Sequence, residues 1–267
     1  KYGHEDVRDV IERASARETA ARVAAGAVAR ALLGTAGIDI LSETVVIGDV
    51  VAQPTFDRER IEASEVRCSD PAASARMIAA ISAARDAGDT LGGVTAVRAS
   101  GVVAGLGTYV QWDRRLDGRI AQALASIQSA KGVEFADAFD AAAARGSLVH
   151  DPIERRGSGF GRSRNRAGGL EGGVSNGEDI VARVAFKPIS TLMRPLPSVD
   201  LRTGLAAAAH IERSDVCVVP AAGVVAEAML ALVLADALCL KFGEDTLGDL
   251  LASLAAYRER LRPIADR

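Results

Sequence analysis

The sequence predicts an α+β chain, on three observations. Stretches with helical periodicity and capping signals recur along it, β-branched stretches with two-residue alternation lie between them, and the composition is that of a packed globular protein. Of 267 residues 49% are apolar and 25% charged, which excludes disordered, collagen-like and coiled-coil compositions. Aromatic residues make up only 4% against 26 glycines, so the core must be built from Ala, Val, Leu and Ile at close backbone approach. Recognition by stacking on aromatic platforms is thereby disfavoured. At this length one large domain or two intimate ones both fit.

Ser15-Ala16-Arg17-Glu18 matches the capping box and predicts a helix from Thr19 through Leu33, stopped by Gly34 and Gly37. Ile38 to Val51 is β-branched and alternating, a strand or pair of strands, and Pro54 to Pro71 reads as a charged loop. Ala72 to Ala87 predicts a second helix with Met77, Ile78 and Ile81 on one face and Gly88 past its end. After the turn Gly88 to Gly93 a strand is expected over Val94 to Val103, broken by Gly105-Leu106-Gly107, then a helix over Leu116 to Lys131. Eight glycines fall between Gly157 and Gly177, which predicts a long functional loop. Ile180 to Lys187 alternates as a strand with Arg183 and Lys187 on one face. A long apolar helix, about Ala222 to Leu240, and an amphipathic one, Leu247 to Arg262, follow.

The 32 basic and 35 acidic residues leave a net charge of −3, so no global field draws the chain to nucleic acid or to an anionic membrane. Any anion site must be local. Cys68, Cys217 and Cys239 are odd in number and lack metal spacing, which suits a reducing cytoplasm better than a disulfide framework or a zinc centre. Ala221 to Leu240 carries Glu227 and Asp236 and predicts a buried helix rather than a membrane span. The opening residues do not read as a signal peptide. The chain begins at Lys1, and it is expected to be a fragment.

Several groups suit anion chemistry. A helix start after Ser15 presents free N–H groups and a partial positive charge, and Arg13 and Arg17 flank it. The glycine-rich segment has neither a Walker lysine nor a dinucleotide fingerprint, yet its Gly-Gly pairs allow backbone to approach a flat ligand. A tight set of turns without a ligand is equally compatible with it. Lys187-Pro188-Ile189-Ser190-Thr191 places a cation and two hydroxyls at a strand end. In Arg213-Ser214-Asp215 the plain structural expectation is an ion pair between Arg213 and Asp215. His4, His150 and His210 lie in no triad or metal pattern.

Lys1-Tyr2-Gly3, Arg13 to Thr19, Gly88 to Gly93, Ser126-Ile127-Gln128, Lys131 to Glu134, Asn165 to Gly177, Lys187-Pro188 and Arg213-Ser214-Asp215 together resemble chorismate synthases in order and spacing. The resemblance covers nearly the whole chain. It implies a single domain over residues 1–267, a βαβ sandwich of antiparallel sheets flanked by helices and incomplete at the N-terminus. It also implies a cytoplasmic homotetramer that needs reduced FMN and acts on 5-enolpyruvylshikimate 3-phosphate by anti 1,4-elimination of phosphate. By the same resemblance Arg13, Ala14, Ser15, Gln128, Ser129, Gly172, Lys187, Pro188, Ile189, Ser190, Thr191 and Arg213 match FMN contacts. Arg17 matches a substrate-anion contact, and Asp215 the carboxylate that assists proton removal.

The chain departs from the family pattern at Phe135-Ala136-Asp137-Ala138-Phe139, at Arg164 and at Ala104. The family's N-terminal histidines have no counterpart in it. The isolated chain is therefore expected to be inactive, and the alternative function is a flavin- or anion-binding or oligomerisation module.

Overall fold

In the computed structural model residues 1–4, 6, 8–157 and 159–262 are described, with only the backbone of Ile11 and Glu12. Ser158 of the glycine-rich segment lies outside them. Helix α1 (Arg8–Ala14) leads into a single 3-10 turn, Ala16–Glu18, and then α2 (Thr19–Thr35). The helix expected to start from Ser15 is thus split. Ser15 Oγ accepts from Arg17 N at 3.1 Å and caps only the 3-10 turn, while Glu18 turns sideways instead of back to the cap.

Strand β1 (Asp39–Ile47) turns at Gly48 into β2 (Val50–Val51). The segment read as a loop holds α3 (Arg58–Ala63), capped by the Asp57 carboxylate accepting from Arg60 N. Helix α4 (Pro71–Asp86), capped by Asp70, matches its expected span. Strand β3 (Gly93–Ser100) is shorter than expected because Gly101 takes φ +77°. Helix α5 (Leu116–Ala125) also stops early: Ser129 adopts φ +69° and the chain reverses into β4 (Ala130–Phe135). Lys131 belongs to a strand, because pairing with the sheet outweighs the helical pattern that precedes it.

Two short helices, α6 (Ala138–Ala142) and α7 (Gly146–Val149), precede the glycine-rich region. That region is two hairpins rather than one loop: β5 (Ile153–Arg156) with β6 (Gly159–Arg162), and β7 (Leu170–Glu171) with β8 (Val174–Ser175). Then come β9 (Ile180–Phe186), an exposed hairpin β10 (Pro197–Val199) and β11 (Ala206–Ala208), the long α8 (Val219–Phe242) and α9 (Leu247–Arg260).

The main sheet is antiparallel in the order β2-β1-β3-β9-β4. In β9 the residues Ile180, Ala182, Val184 and Phe186 are buried, as two-residue alternation predicts. Helix α8 lies across that face between α2, α5 and the sheet, so this apolar helix is buried as expected. Small residues bring the layers together. A Cβ on Gly26 of α2 would meet Ala228 Cβ of α8 at 2.4 Å, so the two helices cross in near backbone contact. Each fully buried Leu or Ile in this layer, among them Leu33, Ile40 and Leu230, contributes roughly 1.5–3 kcal/mol.

Candidate functional site

The start of α2, the turn after α5 and the start of α8 meet at one end of the core. Between them lies a cavity of about 160 Å³ lined by Thr19, Gln128, Ser129 and Asp215 and by the apolar Val218, Ala222 and Val225. The N-terminus of α8 has no side-chain cap and carries Pro220 in its first turn, so its positive end faces this space. Two helix starts therefore converge here, where the sequence predicted one. Pro220 just inside the apolar run was the signal for the second.

Gln128 donates through Nε2 to Glu18 Oε1 at 2.5 Å and to Ser15 O at 3.5 Å. Glu18 is also bound by Arg22, 2.7 Å away. Arg22 first, and Gln128 after it, hold the Glu18 carboxyl below the usual carboxylate range. Gln128 Oε1 is buried and has no hydrogen-bond donor among the described residues.

Hydrogen bonds draw the distant segments to the same place. Lys187 N donates to Ser129 O at 2.9 Å, which fixes the strand end Lys187 to Thr191 beside the turn. Thr90 Oγ1 donates to Ile189 O at 2.7 Å, and Ser214 Oγ to Thr191 O at 3.0 Å, so residues 213–215 join the group. Gly92 is required at this junction: a Cβ there would meet Phe186 O at 2.3 Å. Lys187, Arg213 and Asp215 are exposed, and among the described residues no ion pair joins Arg213 to Asp215. The expected pairing is absent, because the two side chains border open space. Asp215 also lines a recess of about 330 Å³ with Arg85, Arg213 and Cys217, whose thiol is pushed up by burial. Arg85 was not picked out in the sequence, since a lone Arg in the last turn of a helix reads as a dipole partner.

Arg13, Ala14, Ser15 and Arg17 sit at the rim, on α1 and the 3-10 turn. Gly172 is not brought in. It occupies the β7–β8 turn, which meets the start of α5 through Leu116 N donating to Gly173 O. Ten helical residues, about 15 Å, separate that end from Gln128. His4, His150 and His210 are all exposed and away from the cavity.

A flat heteroaromatic ring with a donor edge and a pendant anion fits this donor set. The apolar wall takes the ring, the unpartnered Gln128 Oε1 takes an N–H, and Lys187 and Arg213 offer charge-assisted hydrogen bonds to the anion. The cavity alone is below the roughly 300 Å³ of a small-ligand site, but the adjoining recess extends it past Asp215.

The family described as "Chorismate synthase" matches residues 1–239. The chain is 57% identical to a protein named chorismate synthase from Desulforudis audaxviator, over 98% of this chain and 69% of the relative. It is 57% identical to one from Moorella thermoacetica, over 99% and 70%. A crystal structure of chorismate synthase superposes with a TM-score of 0.84 at 42% identity, over 97% of this chain and 74% of the other.

Proposed function

The chain belongs to the chorismate synthase family, and from that premise we propose that the cavity between α2, α5 and α8 is its flavin and substrate site. The activity of the family is that of a lyase: phosphate leaves 5-enolpyruvylshikimate 3-phosphate by anti 1,4-elimination to give chorismate. The observation that carries the assignment is that Gln128-Ser129 and Asp215, far apart in sequence, line one cavity, where Gln128 Oε1 has no donor among the described residues.

Reduced FMN, when bound, supplies transient electron density to the substrate and a proton acceptor. Gln128 and the strand end Lys187 to Thr191 bind and orient the ring, with Val218, Ala222 and Val225 excluding water from one side. Lys187 and Arg213 neutralise phosphate or carboxylate charge, and Arg17 at the rim meets a substrate anion. Asp215, on the wall shared by cavity and recess, accepts and relays the proton that elimination releases. Gly172 would serve such a site only from another subunit or after a rearrangement, which accords with the homotetramer expected for a cytoplasmic member of this family.

The test is anaerobic incubation of the chain, joined to the N-terminal histidine-bearing segment of its family, with 5-enolpyruvylshikimate 3-phosphate and chemically reduced FMN. Phosphate and chorismate should form in equal amounts, and only when the flavin is reduced. Product without flavin would overturn the cofactor assignment. FMN binding that ignores Gln128→Met would overturn the site.

A further inference from the structure

Glu18 is the residue that a capping box would turn back to the helix start, yet here it leaves that duty. Arg22 grips it from one turn along α2, with Nε 2.9 Å from Oε2 and Nη2 2.7 Å from Oε1. The same guanidinium donates through Nη1 to Ser126 Oγ at 2.7 Å, so the pair is fastened to the turn that carries Gln128. Side-chain exposure is about a fifth for each partner, 23% for Arg22 and 20% for Glu18, so the pair is only partly screened by solvent.

An ionised carboxylate only accepts hydrogen bonds, so the Gln128 amide can face Glu18 only with its NH₂ end. Its oxygen is thereby turned away, and it is the oxygen that is buried without a donor. An orphaned buried acceptor is destabilising, a cost relieved when a ligand supplies the missing N–H. We propose that Glu18, held by Arg22, is a positioning residue that fixes the Gln128 amide so that Oε1 is reserved for a ring N–H of the ligand. The matching chemistry is the imide N–H of a flavin, flanked by two carbonyls. A ring edge without that donor would leave Oε1 unpaired against the ligand. The inference rests on the flavin reading above and adds to it the group that sets which edge of the ring is accepted.

The experiment compares FMN with 3-methyl-FMN, which lacks the imide proton, by quenching of flavin fluorescence. The unaltered chain should bind FMN tighter by about tenfold or more, the effect of one hydrogen bond to a buried acceptor. Glu18→Gln is isosteric and its amide can donate, so Gln128 is free to turn and the preference should fall to about threefold or less. Gln128→Met removes the acceptor and should abolish the preference. Arg22→Lys keeps a cation on Glu18 and should retain it, which a loss of packing alone would not produce. If Glu18→Gln weakens both ligands equally and leaves the preference intact, Glu18 is structural and the proposal is overturned. No preference in the unaltered chain overturns it as well. If FMN binding is indifferent to Gln128→Met, it is the flavin reading itself that falls.

Discussion

Glu227 of α8 and Arg67, the residue after the α3 turn, meet 3.0 Å apart beneath β1. Arg30 of α2 reaches the other carboxylate oxygen at 2.6 Å, and Ser42 donates from its N at 2.8 Å and its Oγ at 2.7 Å. Glu227 is almost fully buried, and its four donors come from α2, β1 and the α3–α4 connection. The carboxylate therefore fastens three layers at one point. Truncating one partner of such a cluster strands the others, so Glu227→Ala should cost about 3 kcal/mol or more. Urea unfolding with an unchanged m-value measures it; a loss below about 1 kcal/mol would show that water reaches the two guanidiniums.

Gly26 and Ala228 set the distance between α2 and α8. A methyl on Gly26 would lie 2.4 Å from Ala228 Cβ and 2.6 Å from its Cα, and backbone cannot swing aside. Gly26→Ala gains up to about 1 kcal/mol of helix propensity but loses about 1–3 kcal/mol to overpacking, so it should destabilise on balance. The reciprocal Ala228→Gly in the same chain should recover only the part of the loss owed to the Ala228 methyl, since the Cα at 2.6 Å remains. Additive effects of the two changes in a double-mutant cycle would contradict the close crossing.

Local signals in the sequence carried the helices and strands that own their periodicity, such as β9 and α8, but not the places where partners decide. Nothing local distinguishes Ala130 to Phe135 as a strand, since its alternation is weak and its hydrogen bonds go to β9. The charged stretch after Pro54 read as a loop because its organiser is elsewhere. Glu43 of β1 is fully buried and accepts from Thr55 N, Phe56 N and Ser69 N at 3.0, 2.8 and 2.9 Å. Site residues were named through the family resemblance. Of these, residues 128–129, 187–191 and 213–215 do converge, whereas Gly172 does not. Helix N-termini were legible as a principle, but which of them faces the cavity depended on the packing of α8.

Glu18 gives the site a defined response to pH. Its folded carboxyl is held below the usual range, by Arg22 first, so the folded state binds its proton less readily than the unfolded state. The stabilisation is then complete above the ordinary value of about 4.3 and is lost as pH falls through the lower folded value. The stability difference between the unaltered chain and Glu18→Gln should be flat from about pH 5 upward and shrink below about pH 4. A difference that grows on acidification would mean that Glu18 is protonated in the fold.

Asp215 stands on the wall common to the cavity and the recess, exposed and not ion-paired to the arginine two residues before it. A carboxylate engaged in a structural pair would be worth keeping for stability, but among the described residues this one has no such partner. Asp215→Asn preserves shape while removing the negative charge and with it the ability to take a proton. In a chain that carries the family's N-terminal histidines, turnover should drop about a hundredfold or more, the scale of general acid–base groups, while FMN affinity and the urea midpoint stay within error. The drop should appear in kcat rather than in KM, since the proposed contact to the substrate anion is Arg17 and not Asp215. Unchanged turnover would remove Asp215 from the chemistry. A loss of turnover that tracks loss of bound FMN would reassign it to holding the ring.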